Sequence, residues 1–413
     1  MYRAYFEVPS DPKVKHEKGS SPYLLKKLMV ELQGAESIQA SFFLYNNRFL
    51  HDFLQKQVLQ GTQVTVYTIP LDGYSEVEVP VSGYREKKSK RQFAEKIFQS
   101  ILQSAVPAVE LRLFPHTYVW SETQFTRGTY AYSLHAKCVL ATFKDGKHKC
   151  ILTSSNLACA DQSHSENMLV MEGDQESIHS YMQFFTHLRE NSLSLDEYRH
   201  FKAATHHDVY YKLQKKTDTQ GSGNTLFTAP WFTYNSQGSP KVARTYIFEF
   251  IKRAQSRIYI CSQHVNDYSP FGTEDHKGIV ELLTEIAVNQ EIEIKVLKQT
   301  TSEQQKQGSR AEKAEKVLSR LPNVEQKVWH PVIHDKFIIV DNSVVVMTAN
   351  ITPTQFAWDQ DRDMIYVIDN ESVNIPNNCF AEVNAFHFVT DDEVTAQYEQ
   401  HFFQLWQSAR NLP

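Results

Sequence analysis

Several things are missing from this chain, and each absence narrows what it does. No run of about 18 apolar residues occurs, so no membrane-spanning helix is expected. The first residues, Met1-Tyr2-Arg3-Ala4-Tyr5-Phe6-Glu7-Val8-Pro9, lack the apolar stretch of a secretory leader. Cysteine is scarce: five residues, an odd number, with no Cys-x-x-Cys pair, which argues against a disulfide framework or a structural zinc site. A reducing, cytoplasmic setting is the corresponding expectation. There is no basic surplus either. The net charge of −5 supplies no overall field to steer phosphate polymers, so any such attraction must be local. What is present, 413 residues with 41% hydrophobic content, is enough to bury two substantial cores.

Against this background one pattern occurs twice. His135-Ala136-Lys137 leads through apolar residues to Thr153-Ser154-Ser155-Asn156, and His334-Asp335-Lys336 leads to Met347-Thr348-Ala349-Asn350. Between motif and asparagine lies a hairpin signal in each copy: Asp145-Gly146 in the first, Asp341-Asn342-Ser343 in the second. Centring the first turn on Asp145-Gly146 and the second on Asn342 predicts His135 opposite Asn156 and His334 opposite Asn350. Directly opposed residues have Cβ atoms roughly 5 Å apart, and residues two apart on a strand share a face. His, Lys and Asn are therefore expected on one surface in each copy. Two histidines, two lysines and two asparagines suffice to break a phosphodiester without a metal.

The elements around the motifs recur as well. A helix-like stretch (Leu24, Leu25, Leu28, Met29, Leu32) and the strand Ile38 to Tyr45 have counterparts in Tyr246, Ile247, Phe250, Ile251 and the strand Ile258 to Ser262. A second apolar-periodic helix and a β-rich run follow in each half, Val64 to Ile69 and Ile292 to Leu297. The expected fold class is α/β: two pseudo-symmetric α/β/α halves with mixed, largely parallel sheets and one shared active site at their interface. Residues 1–214 form the expected first half, 215–225 the linker, and 226–413 the second half. Each half holds one His and one Lys, so a complete site requires both. The local basic feature is Arg85 to Arg91, where Lys87, Lys88, Lys90 and Arg91 are candidates for contacts to backbone phosphates.

These motifs resemble the phospholipase D superfamily, whose members carry two His-x-Lys motifs, each followed by Asp and then Gly-Ser-x-Asn. The resemblance covers both halves. Asp341 occupies the family's Asp position in the second copy, whereas Thr142 stands there in the first. Thr153 and Met347 replace the family's Gly, and Ser154 and Thr348 keep a hydroxyl. The Thr-Ser-Ser-Asn-Leu-Ala stretch, and Thr-Ala-Asn-Ile-Thr followed by Ala357-Trp358, are similar to the tyrosyl-DNA phosphodiesterase branch. The resemblance also implies a carboxylate after each Asn, at the start of a following strand. Glu166 and Asp363 fit that place, and Thr142 leaves His135 one acid short for its ordering.

The resemblance implies His135 as nucleophile and His334 as general acid, with Glu166 and Asp363 fixing their tautomers. Lys137, Lys336, Asn156 and Asn350 would hold the non-bridging oxygens, assisted by Ser154 and Thr348. A phosphohistidine forms and is then hydrolysed. No cofactor and no metal is expected. The leading substrate is nucleic acid, DNA or RNA, which makes the chain a nuclease or endonuclease in bacterial defence or DNA processing. The alternatives are a phospholipase D or phosphatidyl-transfer enzyme, and a degenerate non-catalytic binding subunit. A protein partner is left open.

Overall fold

The computed structural model describes residues 1–9, 23–71, 88–104, 109–114, 134–158, 164–204, 217–219, 223–229, 232–268, 277–299, 308–330, 332–355, 364–368, 371–375 and 382–412. Two large sheets dominate, and their strands follow the same order. The first runs Tyr2–Glu7, His164–Glu172, His148–Thr153, Cys138–Phe143, Ala35–Ser41, Gln63–Thr68, Glu110–Leu113, Leu193–Ser194. The second runs Thr225–Thr228, Asn384–Val389, Ser343–Met347, Lys336–Val340, Arg257–Ser262, Glu293–Lys298, Val324–Val328, Arg410–Asn411. Position by position, the strand that follows each His-x-Lys motif occupies the fourth place. The repeat seen in the sequence is thus a repeat of topology.

The expected parallel character is limited to three strands per sheet joined across helices, Ala35–Ser41, Gln63–Thr68 and Glu110–Leu113 and their counterparts, and to Val332–Ile333, which adds to the first sheet parallel to His164–Glu172. The other neighbours pair antiparallel, through hairpins at Cys138–Phe143 with His148–Thr153 and at Lys336–Val340 with Ser343–Met347, and otherwise between strands farther apart in sequence. The sheets are mixed rather than largely parallel.

Alternation along the strands explains the layering. Cys138 and Leu140 point to a central core and Val139 and Ala141 to an outer one; Phe337 and Ile339 face the centre while Ile338 and Val340 face outward. A strand buried on both faces reads as a continuous apolar run. The outer faces are covered by Tyr23–Leu32 and Arg48–Leu59 on one side, and by Ser239–Lys252 and Ile279–Asn289 on the other. Asn47 starts one of these helices, its side chain accepting from the backbone of Phe49 and Leu50.

The central core joins the halves. Helix Gln175–Glu190 contributes Ile178, Tyr181, Phe184, Phe185 and Leu188, and helix Asp392–Ser408 contributes Val394, Tyr398, Phe402 and Leu405, both at helical spacing. Phe184 stacks on Phe227 of the second sheet at 4.2 Å, and Phe6 of the first sheet meets Tyr398 edge-on at 4.9 Å. Among the described residues, no helix is long and apolar enough to cross a membrane.

Candidate active site

The hairpins after the two motifs differ from expectation, and in the same sense. In the first, Phe143 N–H donates to the Lys147 carbonyl, so three residues make the turn, with Gly146 at φ +77°. In the second, Val340 pairs with Ser343, leaving a two-residue turn whose first residue, Asp341, has φ +49°. Each register moves by one place. Cys138 pairs with Leu152 and Phe337 with Val346, so Lys137 faces Thr153 and each Asn lies one step beyond the residue opposite its His. Because both copies shift alike, their equivalence survives. The reason lies in local turn geometry, which a count of residues cannot choose.

The residue just before each motif crosses to the other half. Leu134 bridges to Val383 in parallel, and the His135 N–H donates to the Val383 carbonyl at 2.9 Å. Reciprocally, Val332–Ile333 pairs with His164 and Ser165, and the His334 N–H donates to the Ser165 carbonyl at 3.0 Å. Each histidine is thereby placed beside a strand of the opposite sheet. His334 Nδ1 lies 2.8 and 2.9 Å from the two Glu166 oxygens. His135 Nδ1 lies 3.2 Å from Asn384 Oδ1 and 3.5 Å from Glu382 Oε2.

An ionised carboxylate and an amide oxygen only accept, so both imidazoles carry their proton on Nδ1 and keep Nε2 as a base or nucleophile. The amide orientation is set by its neighbours: Asn384 Oδ1 also accepts from Thr348 Oγ1, while Nδ2 donates to Gln355 Oε1.

Lys137, just before the strand Cys138–Phe143, and Lys336, first in its own strand, are fully buried, and each Nζ donates to the carbonyl of the histidine two residues earlier, at 2.9 and 2.7 Å. Their charge is felt by both rings. Burial, then Lys137, Lys336 and His334, hold His135 well below the usual histidine range. Burial, then Lys336, His164, Lys137 and His264, do the same to His334. The two buried lysines make a positive, water-poor setting that favours an anion. Asn156 and Asn350 lie in sequence-equivalent loops, and each has an Oδ1 that is buried without a hydrogen-bond partner among the described residues.

Several expected residues have other work. Ser154 Oγ donates to Glu166 Oε2 at 2.5 Å and Thr348 Oγ1 to Asn384 Oδ1 at 3.0 Å. Both hydroxyls hold the histidine partners rather than substrate, since both residues are fully buried with their donors committed. Asp341 accepts from the backbone of Gln255, Ser256 and Arg257 and pins the hairpin tip to the strand Arg257–Ser262, far along the strand from His334. Its absence at Thr142 therefore costs His135 no ordering acid. The motif's own Asp335 is buried 3.1 Å from His401, facing away into the core.

Asp363, the second acid expected from the resemblance, lies outside the described residues; the strand after it, Met364–Ile368, pairs among the described residues with Glu371–Ile375 in a two-stranded sheet. The true counterpart of Glu166 follows from the registers. Thr153 pairs with Met168 and Met347 with Phe386, so Glu166 corresponds to Asn384 and His164 to Glu382. Asn384, Glu382 and Gln355 were missed because the second half inserts an extra hairpin between Asn350 and its strand. The legible signal was the β-prone stretch Val383 to Val389, in which only Asn384 and His387 are polar. Lys87 lies outside the described residues; Lys88, Lys90 and Arg91 fall in the helix Lys88–Leu102, with no side-chain position described.

His164, Glu166 and His334 offer ligand atoms within 4.8 Å of one another, a spacing a metal ion can use. Two buried lysines beside them repel a dication, and the Glu166 oxygens already serve His334 and Ser154. The donor set suits a histidine–carboxylate pair better than a metal centre.

The comparisons agree with this architecture. The family model described as cardiolipin synthase, PLD-like domain, matches residues 247–406. The phosphatidylserine synthase of Haemophilus influenzae Rd KW20 has the same fold at a TM-score of 0.51, with 11% identity over 94% of this chain and 85% of that one. The polyphosphate kinase of Porphyromonas gingivalis gives 0.51 and 10% identity over 98% of this chain, which spans only 50% of the kinase. The yeast tyrosyl-DNA phosphodiesterase is more distant, at 0.43 and 11% over 94% of this chain and 88% of that one. No curated protein sequence matches. Residues 247–406 thus match a phospholipase D-like domain, and the chain as a whole shares the two-sheet fold of the synthase.

Proposed function

We propose that the protein is a phosphodiesterase working through a phosphohistidine, and that its substrate is nucleic acid. The observation that carries the reading is the reciprocal placement of His135 and His334, each held at Nδ1 by the opposite half beside two buried lysines. The lysines and the asparagines Asn156 and Asn350 would bind the phosphate oxygens and stabilise charge that grows on them. His135 Nε2 attacks phosphorus and His334 protonates the departing oxygen. A water then attacks phosphorus, giving its proton to His334 and releasing His135. A bound phosphate anion lifts the proton affinity of His334, which burial and the lysines otherwise hold low.

Nucleic acid is favoured over lipid by the surface. The exposed large apolar side chains among the described residues sit at Met1 and on helices (Tyr23, Val30, Phe49, Leu59, Phe93, Met182, Tyr246, Val288), not on the segments that carry the site. The second reading, phosphatidyl transfer, is favoured by the description of the matching family model.

The test is to incubate EDTA-treated protein with single- and double-stranded DNA, RNA and phospholipid vesicles, followed by acid-labile, base-stable labelling of the protein. Cleavage of a nucleic acid is expected. His135→Ala and His334→Ala should each lower it by about 10³-fold or more with the fold intact. Full turnover in either variant would refute the mechanism, and turnover on lipid alone would select the second reading.

A further inference from the structure

The two histidines are served differently. His334 has a carboxylate, Glu166, in direct contact with Nδ1. At the equivalent position His135 has the amide of Asn384, and the nearest acid stands two residues earlier on the same segment, at Glu382. That place is held by His164 in the first half, so acid and neutral group have exchanged positions between the halves. We infer that Glu382 is a positioning residue for His135, its carboxylate compensating the positive charge that the ring acquires when Nε2 bonds to phosphorus. The inference rests on the phosphohistidine reading above only for its catalytic consequence.

The surroundings fit that task. Glu382 Oε2 is shut off from water and has no hydrogen-bond partner among the described residues, yet lies 3.5 Å from His135 Nδ1. The carboxyl is held by Gln355, whose own oxygen accepts from Asn384, so amide, acid and imidazole form one connected set. The charged and titratable groups facing it are Lys137 and Lys336, whose fields favour its ionised form, and His135 itself. His135 is faced in turn by Lys137, Lys336 and His334, and its ring meets Phe43 edge-on.

Burial raises the Glu382 carboxyl to about 7, against the lowering effect of Gln355 and the lysines. The sign of the pH dependence follows. Above that value Glu382 is anionic and a cationic His135 ring is compensated; below it the acid is neutral and the compensation is gone. When Nε2 attacks, the P–O bond to the leaving group breaks, His334 supplies the leaving oxygen's proton, and His135 retains its Nδ1 proton beside the Glu382 anion. Attack by water returns the ring to neutrality.

The experiment follows the His135 ring nitrogens by NMR across pH 5 to 9 in the full chain, with kcat measured in parallel. The wild type should show a step in the His135 shifts near pH 7, and Glu382→Gln should abolish it. In turnover, Glu382→Gln should lower kcat about 10- to 100-fold with KM little changed and remove the acid limb of the pH profile. The double variant Glu382→Gln, Asn384→Asp, which moves the carboxylate to the position Glu166 has, should recover much of the loss. Glu382→Asp keeps the acid should the glutamine variant fail to fold, and should displace the step without removing it. A step absent in the wild type, or unchanged in Glu382→Gln, overturns the inference even if no substrate is ever cleaved. Loss of all turnover in the wild type with the step intact counts against the phosphodiesterase reading alone.

Discussion

At the scale of single residues, charge placement governs the site. Burial and, after it, the charge of Lys336 help to depress His135, His334 and His264, the last to about 4. Replacing it with methionine keeps much of the volume and removes that field. All three imidazoles should then titrate at higher pH, since one repelling charge is gone. Inorganic phosphate should bind about 10-fold more weakly through loss of a charge-assisted hydrogen bond. Histidine NMR titration and phosphate binding by calorimetry check this. Unchanged histidine titration would mean that the lysine is screened from the rings. The residue scale is also where the sequence was most readable: His135, Lys137, His334, Lys336 and Glu166 were named from spacing and resemblance, and the structure brings them together. Asn384 and Glu382 were not, since nothing local distinguishes them from any polar residue beginning a strand.

At the scale of elements, the hairpins show what an aspartate in the family pattern does here. Asp341 opens a two-residue turn with a positive φ and ties the backbone of residues 255–257 to the hairpin. Asp341→Ala should destabilise the protein by about 1–2 kcal/mol, through lost backbone acceptors and an unfavourable φ for alanine. Asp341→Asn should cost less, as asparagine tolerates that conformation and keeps one acceptor. Neither should change kcat appreciably, because the turn lies at the far end of the strand from Lys336. Urea unfolding beside turnover measures both. A kcat loss of 100-fold in Asp341→Ala with unaltered stability would return the residue to the catalytic apparatus. The registers teach a related lesson. Both turns were placed in the sequence, yet their lengths were exchanged, because backbone dihedrals at Gly146 and Asp341 decide between two and three residues.

At the scale of the whole molecule, the site exists because each half lends the other a strand position. The backbone N–H groups of His135 and His334 are bonded across the interface, to Val383 and Ser165. Neither bond opens while the halves stay docked over their common core. In native-state hydrogen exchange the two amides should therefore exchange together, at a free energy close to that of global unfolding. Phe143, paired within its own hairpin, reports opening of the first sheet alone. Fast, independent exchange at His135 would show that the interface opens without unfolding and that the site is intermittently incomplete.

The sequence alone determined the duplication, the α/β alternation and the identity of the paired His and Lys residues, because these depend on periodicity and local spacing. Only the tertiary structure decided which strand of the opposite half each imidazole meets, that an amide and a displaced acid serve His135, and that Met364–Ile368 pairs with Glu371–Ile375 apart from the two large sheets. Contacts between residues more than a hundred positions apart arise from docking two sheets over one core, and no local pattern encodes where that docking brings them.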